Sequence, residues 1–264
     1  MVLPRTLITG PTVEPVSLAE AKRHLRLTSD DTAKDGEIAS LIVAARTRVQ
    51  QDTNLALVTS TWETYLDCFP VGTRLELPLP PLQSVTHVKY TDTDAAETTV
   101  DGSYYHVDTV RRPGRIVLAY GQQWPTATLR TANGIVVRFV AGYAAYSGTV
   151  TTVATAVTKS TGSDFNVGWP AGHPVTINGV VYEIASVAST TAATLRSTAG
   201  TQASAVAYST ADVPADLRIA VLILIYHWFD QRGMTESVEE IARRDVPLSY
   251  KSIVADRKVY SFGA

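Results

Sequence analysis

The 264-residue sequence predicts an α+β protein with a core of about three helices, an antiparallel β domain, and a small all-β module inserted before the long third helix. Three observations indicate this class. Apolar residues recur at helical spacing between positions 38 and 49, alternation of period two begins at Thr59, and charged residues become sparse between positions 147 and 211. With 45% hydrophobic and 18% charged residues, the chain lacks the composition of a disordered protein.

Two helices are predicted near the N-terminus. Ser17 and Glu20 have the spacing of a capping box, in which the Ser hydroxyl accepts a backbone N–H and the Glu side chain reaches back. We expect this helix to end near Thr28. The residues at 30–32, Asp-Asp-Thr, are suitable N-caps for a second helix, and Asn54 is a suitable stop.

The segment after Thr59 is predicted to form an antiparallel sheet. The prolines between Leu77 and Leu82 exclude a central strand and indicate a connection or an edge. Four further strands are predicted from alternation and from the turn pairs between them: Ser84 to Tyr90, Tyr104 to Asp108, Arg115 to Ala119, and Gly134 to Ala141.

Residues 147–211 are predicted to be a separate β module inserted into a host domain of residues 1–146 and 212–264. This window contains four charged residues among 65, together with 13 Thr and 8 Ser. Two strand-like runs, Pro174 to Ile177 and Val180 to Ala185, flank Asn178-Gly179, which is the strongest short-range signal for a hairpin.

A third helix is predicted from Asp212, as its N-cap, to about Arg232, with Gly233 as its stop. Its apolar residues cover nearly the whole circumference, so the helix needs partners on more than one side. We expect one face to pack on the second helix and another to meet a neighbouring subunit. The remaining residues, 234–264, are predicted to form a basic arm rather than part of the core.

The sequence contains no pattern that indicates an enzyme, a cofactor or a metal. Phosphate-binding loops, nucleophile elbows, zinc-protease motifs and calcium-binding loops are all absent, and the five His are scattered. The single Cys68 excludes an intramolecular disulfide, and a pI of about 6.2 gives no field for sequence-driven nucleic-acid binding. The longest apolar run has 11 residues, fewer than the roughly 20 that span a membrane.

Two small clusters permit a functional or a structural interpretation. Arg111, Arg112 and Arg115 could grip a phosphate, or they could belong to a polar hairpin turn. Trp124 and Trp169, each followed by Pro, could stack on sugars if exposed, or they could anchor the ends of loops.

Seven segments, taken together in order and spacing, resemble the head-to-tail connector, or adaptor (head completion), proteins of tailed bacteriophages. They are EPVSLAEAKRHLRL (14–27), TWETYLDCFP (61–70), LPLPPLQSV (77–85), PGRI (113–116), YGQQWP (120–125), VRFVAGY (137–143) and VPADLRIAVLILIYHW (213–228). The resemblance implies a virion protein without enzymatic activity or cofactor, assembled in the host cytoplasm. It implies a ring, twelvefold in most members, that lies under the portal, extends the DNA channel and presents a platform for the next neck or tail protein.

The resemblance also implies contact residues. The C-terminal arm would contact the portal protein, and genomic DNA would touch the ring only during its passage. The portal-contact candidates are Arg243, Arg244, Tyr250, Lys251, Arg257, Lys258 and Tyr260. The subunit-interface candidates on the third helix are Ile219, Ile223 and Tyr226. The module at 147–211 departs from the family's pattern, and we expect it to project outward from the ring.

An alternative function of a different class stays open from the sequence. The chain could be a tail or baseplate protein whose inserted β module recognises a cell-surface glycan. Exposed aromatic side chains on the module would favour this alternative, because sugars stack on aromatic faces. A ring with a central channel would favour the connector.

Overall fold

The computed structural model describes residues 3–28, 31–231 and 247–259. Within these ranges the chain forms helices and antiparallel sheets, which confirms the predicted α+β class. The helices there are α1 (Leu18–His24), α2 (Asp35–Thr53), α3 (Ala215–Gln231) and α4 (Leu248–Arg257). The chain divides into two compact units, which we call the sheet unit and the barrel unit.

The sheet unit comprises Met1–Pro11, Gln50–Tyr143 and Ala255–Ala264, and the barrel unit comprises Thr12–Val49 and Ala144–Val254. Most of the helical residues therefore group with the barrel, whereas the sequence places the helices and the sheets in one host domain. The domain boundaries predicted from composition, between residues 146 and 147 and between residues 211 and 212, stay a prediction.

The described residues of the sheet unit form eight strands in two antiparallel sheets. The strands are β1 (Arg5–Thr9), β2 (Ser60–Leu66), β3 (Arg74–Glu76), β4 (Leu82–Thr91), β5 (Glu97–Thr99), β6 (Tyr105–Asp108), β7 (Arg115–Leu118) and β8 (Ile135–Ala141). One sheet has the order β1-β2-β8-β4-β5, and the other has the order β3-β7-β6. Phe139 of β8 lies opposite Trp62 and Val85 on the two neighbouring strands and is fully buried in the core of this unit.

The longer predicted strands are confirmed to within two residues, and the segment between Leu77 and Leu82 is a connection as expected. Three short strands, β1, β3 and β5, were not predicted. β1 and β5 are largely exposed, so their sequences carry no alternation between buried and exposed positions. Only their pairing with β2 and β4 makes them strands.

The N-terminal helices differ from the prediction at two of their four ends. Ser17 accepts the Glu20 backbone N–H at 3.2 Å, as the capping box requires, but α1 already ends at His24. α2 begins at Asp35, later than the predicted caps, because the residues before it form a turn closed by the Asp35 N–H on the Thr32 carbonyl at 3.2 Å. The far end is as predicted, since Asn54 adopts a left-handed conformation after Thr53.

The barrel unit contains a closed six-stranded antiparallel barrel. Its strands are β9 (Ala145–Val153), β10 (Ala156–Gly162), β11 (Pro174–Ile177), β12 (Val180–Ser189), β13 (Ala192–Leu195) and β14 (Gln202–Ala211), in the order β10-β13-β12-β11-β14-β9. The predicted hairpin at Asn178-Gly179 is confirmed, and both residues have the positive φ of a type I′ turn. The interior is filled by side chains that include Phe165, Trp169 and Tyr208.

The third and fourth helices correct two further predictions. α3 begins at Ala215 rather than after an N-cap at Asp212, and its predicted end at Arg232 and Gly233 lies outside the described residues. The predicted arm contains a helix, α4, in which Tyr250 is buried. After α4, the Val259 N–H donates to the Thr53 carbonyl at 2.9 Å, which ties this segment to the end of α2.

Two glycines with positive φ allow a matched test of the fold. A Cβ at Gly142 (φ 117°) would lie 2.3 Å from the Val58 carbonyl carbon and oxygen, whereas a Cβ at Gly179 (φ 76°) would meet nothing within 4 Å. We expect Gly142→Ala to lower the free energy of unfolding by about 3 kcal/mol or more and Gly179→Ala by about 1 kcal/mol. Urea unfolding measures both, and equal losses would contradict the close strand approach at Gly142.

Candidate assembly surfaces

α3 has two apolar faces, and the described part of the chain buries one of them. Leu217, Val221 and Leu224 lie on one face and are fully buried. Ile219 and Tyr226, on another face, are 50% and 52% exposed, and Ile223 between them is half-buried. We call this second face, at spacing i, i+4 and i+7, the outer stripe. Large apolar side chains in such a row are typical of a contact surface.

Contacts with α1 hold α3 in the barrel unit. Arg218 donates to the Glu20 carboxylate, and both side chains are largely buried. The His24 ring meets the Tyr226 ring edge-to-face, with 6.1 Å between centroids. Just before α2, the Lys34 ammonium lies 5.8 Å from the centre of the Phe229 ring. Within the chain, α3 is therefore held by α1, whereas the sequence suggests the second helix as its partner.

A groove of about 990 Å³ opens in the barrel unit between the helices and the barrel wall. α1, the start of α2 and the chain before α1 form one side, and strands β11, β12 and β14 form the other. Its lining is rich in aliphatic side chains, among them Val43 at 44% exposure and Val180 at 49%. Exposed valines in a concavity are available to an apolar ligand or partner.

The charges inside the groove are largely neutralised by ion pairs. Lys22 lies 2.6 Å from Asp35, Glu14 lies 2.7 Å from Arg46, and Glu20 pairs with Arg218. Arg23 and Arg26 of the lining are exposed and form no ion pair with any described residue. The groove is therefore apolar with an excess of positive charge on its α1 side.

Asp212 joins the barrel to α3 as an acceptor, which explains why it does not cap the helix. Its carboxylate accepts hydrogen bonds from Trp169 Nε1 at 2.5 Å, Asn166 Nδ2 at 2.9 Å and Tyr146 OH at 2.9 Å. His173 stacks on the Trp169 ring with 4.9 Å between centroids. These partners lie 39 or more positions away along the chain, so local sequence gives no sign of them.

The same cluster contains two strongly shifted groups. Burial, followed by the hydrogen bond to Asp212, raises the pKa of Tyr146 to about 12. Burial lowers the pKa of His173 to about 4, although the Asp212 carboxylate opposes the shift. The neutral ring donates from Nε2 to Thr210 Oγ1 at 2.9 Å, because the Thr210 hydroxyl itself donates to the Pro174 carbonyl at 2.7 Å. The cluster is thus a satisfied structural junction.

The barrel surface offers no aromatic platform. Its aromatic residues, all described, are buried (Phe165, Trp169, Tyr208) or half-buried (Tyr146, Tyr182). Its four charges also form two pairs, Lys159 with Asp164 and Arg196 with Glu183. In the sheet unit, Trp124 anchors a loop by stacking on Phe69 and donating to the Gly72 carbonyl at 2.8 Å. Both tryptophans are anchors, which was the second interpretation of these residues.

The arginine cluster likewise belongs to a hairpin turn. Asp108 accepts from Arg115 Nε at 2.9 Å and from the backbone N–H groups of Val110 and Arg111. Arg112 lies against the Tyr143 ring, 5.7 Å from its centroid. Of the three guanidinium groups, one is thus bound to a carboxylate and one to an aromatic ring, which favours the structural interpretation over a phosphate clamp.

The structure describes four of the seven portal-contact candidates. Tyr250 is 2% exposed and packs within its own chain, so we remove it from the candidate set. Lys251 and Lys258 are exposed, and Arg257 is half-buried. The remaining candidates, Arg243, Arg244 and Tyr260, lie outside the described residues.

Over residues 3–28, 31–231 and 247–259, no group of His, Cys, Asp and Glu could hold a metal ion. No helix in the described part of the chain is long and apolar enough to cross a membrane.

The His173 cluster predicts a pH dependence of stability. The folded-state pKa is about 4 and the ordinary value is 6.5, so between these values the unfolded chain binds a proton that the folded chain does not. Stability should therefore fall as the pH is lowered through this window, by on the order of 1 kcal/mol at pH 5, because solvent screens part of the effect. Urea unfolding at pH 7.5 and pH 5 measures this change in the free energy of unfolding. The variant His173→Gln should lose less stability on acidification than the unmodified chain. An equal loss in both would contradict the assignment of the effect to His173.

Solved structures with a similar fold come from gene transfer agent (GTA) particles. "Neck of empty GTA particle computed with C6 symmetry" contains a chain 18% identical to this one, with a TM-score of 0.58 over 99% of both chains. "Virion of native gene transfer agent (GTA) particle" contains one that is 17% identical, with a TM-score of 0.58 over 98% of both. "Neck of native GTA particle computed with C12 symmetry" contains one that is 16% identical, with a TM-score of 0.51 over 98% of this chain and 99% of that one.

No protein-family model matches the chain, and no curated protein sequence matches it. At these identities the similarity concerns the fold. It spans nearly the full length of each chain, so it covers the barrel as well as the sheets and helices. The chain thus has the fold of chains found in the neck and virion of GTA particles.

Proposed function

We propose that this protein is a structural component of the neck of a phage-like particle, where copies of the chain form a closed ring. The observation that carries this proposal is the full-length similarity of fold to a chain of a GTA neck. The outer stripe of α3 supports it independently, because a helix with apolar residues left exposed requires a further partner. The proposed role is mechanical, and it requires no catalytic residue.

We further propose that the ring is an adaptor with twelve copies beneath the portal, where it extends the DNA channel and receives the next neck or tail protein. The GTA necks were computed with C6 and C12 symmetry, and both symmetries are compatible with a twelvefold ring. The near-zero net charge of -2 suits a channel through which DNA slides, because DNA held by many cations would be retained in a salt-dependent way.

In this proposal the C-terminal segment contacts the portal. Its candidates within the described part of the chain are Lys251, Arg257 and Lys258, on α4 and directly after it. The alternative role in glycan binding is less supported, because the barrel's aromatic residues are turned into its core or only half exposed.

The proposed ring predicts that charged substitutions in the outer stripe of α3 prevent ring formation. Replacing Ile219 or Tyr226 by Asp puts a charge into an interface that excludes water, so rings should be lost while each chain still folds. Negative-stain images and sedimentation of the purified protein measure ring formation, and circular dichroism measures folding. Val153→Asp, at a barrel position that is 64% exposed, is the matched control and should leave rings intact. Rings unaffected by both α3 variants would contradict the proposed interface.

The proposed portal contact predicts that portal binding depends on the basic side chains of the C-terminal segment. The double variant Lys251→Glu, Lys258→Glu should weaken co-sedimentation with purified portal protein at least tenfold, because basic side chains at a rim steer and hold an acidic partner. Arg196→Glu on the barrel is the control and should bind as the unmodified chain does. Portal binding that survives the double variant would remove α4 from the proposed contact.

A further inference from the structure

We propose that the outer stripe of α3 seats in the groove of the next copy, so that stripe and groove are the two faces of the ring contact. The inference rests on the proposed function, because it names the interface of that ring. A cyclic ring of identical chains uses a heterologous contact, in which each copy presents two different complementary surfaces. Both surfaces must therefore be present on this chain.

The shapes and the chemistry of the two surfaces are complementary. The outer stripe is convex, since it follows one face of a helix, and it carries Ile219, Ile223 and Tyr226. The groove is concave and exposes aliphatic side chains from both of its walls, Val43 from α2 and Val180 from the β11–β12 hairpin. Seating the stripe in the groove would remove both sets of apolar side chains from water at the same time.

The charges of the two surfaces are also complementary. Asp230 lies four positions after Tyr226, so it continues the outer stripe at its C-terminal end. It is exposed, and it forms no ion pair with any described residue. Arg23 and Arg26 give the α1 side of the groove its excess positive charge. An α3 seated with its C-terminal end toward α1 of the next copy would pair Asp230 with Arg26.

Competing charges do not disturb this arrangement. The acidic side chains in the groove already face cations of the same chain: Glu14 faces Arg46, Glu20 faces Arg218, and Asp35 faces Lys22. An incoming carboxylate therefore meets cations that form no ion pair with a described residue on the α1 side, while the carboxylates nearby are neutralised. This asymmetry sets the direction in which the helix lies in the groove.

A charge exchange tests the pairing. Asp230→Arg alone and Arg26→Asp alone should each raise the concentration needed for half-assembly of rings about tenfold, and the double variant should restore most of the loss. Arg26→Asp is compatible with the backbone, because position 26 has φ 59° and Asp tolerates the left-handed region better than most residues. Double-variant rings no better than those of the single variants would overturn the pairing.

A disulfide trap tests the seating itself, in a Cys68→Ser background that removes the native thiol. Tyr226→Cys combined with Val43→Cys should give a ladder of cross-linked multimers on oxidation, because each copy links to the next. Tyr226→Cys combined with Val153→Cys is the matched control and should give none. Trapping also reports contacts that are populated only briefly at high protein concentration.

The outcomes separate this inference from the proposed function. Rings together with a multimer ladder and rescue by charge exchange support both. Rings without the ladder and without the rescue overturn the seating of α3 in the groove and leave the ring itself standing. Absence of rings and of cross-links, in the unmodified chain and the trap alike, overturns both.

Discussion

α3 carries more apolar surface than the described part of its chain covers. The inner face, with Leu217, Val221 and Leu224, is completely buried and fixes the helix in the barrel unit. The outer stripe is bounded by Asp230 and keeps half of Ile219 and Tyr226 in water. A monomer bears this exposure as a cost, whereas the proposed ring would turn it into a stabilising interaction.

Two polar contacts fix the position of α3 within the barrel unit. The buried pair between Arg218 and Glu20 connects the helix to α1, and removing either partner would leave a charge without compensation. Asp212, directly before the helix, gathers three donors from the barrel, including Trp169 and Tyr146. Because every donor there is satisfied, the chain entering α3 is held rigidly, and the outer stripe has a defined orientation within its unit.

Features set by local chemistry could be predicted from the sequence, and features set by distant partners could not. The hairpin at Asn178-Gly179 and the stop of α2 at Asn54 depend on the backbone preferences of one or two residues. Asp212 was expected to cap α3, because an Asp N-cap with a Pro in the first turn, here Pro214, is typical of a helix start, but residues far along the chain compete for its carboxylate. Tyr250 was assigned to a free arm for the same reason, since the packing that buries it has no local signature.

The subunit-interface candidates on α3 came from the resemblance to connector proteins, together with a helix that is apolar on nearly every side. Their proposed counterpart is a groove that exists only after the barrel and α1 come together. The most direct test of the central claim is a cryo-EM reconstruction of the neck in an assembled particle that contains this protein. We predict a closed ring in which contacts between adjacent copies bury Ile219 and Tyr226. A ring in which both side chains still face solvent, or a neck without a ring of this chain, would contradict it.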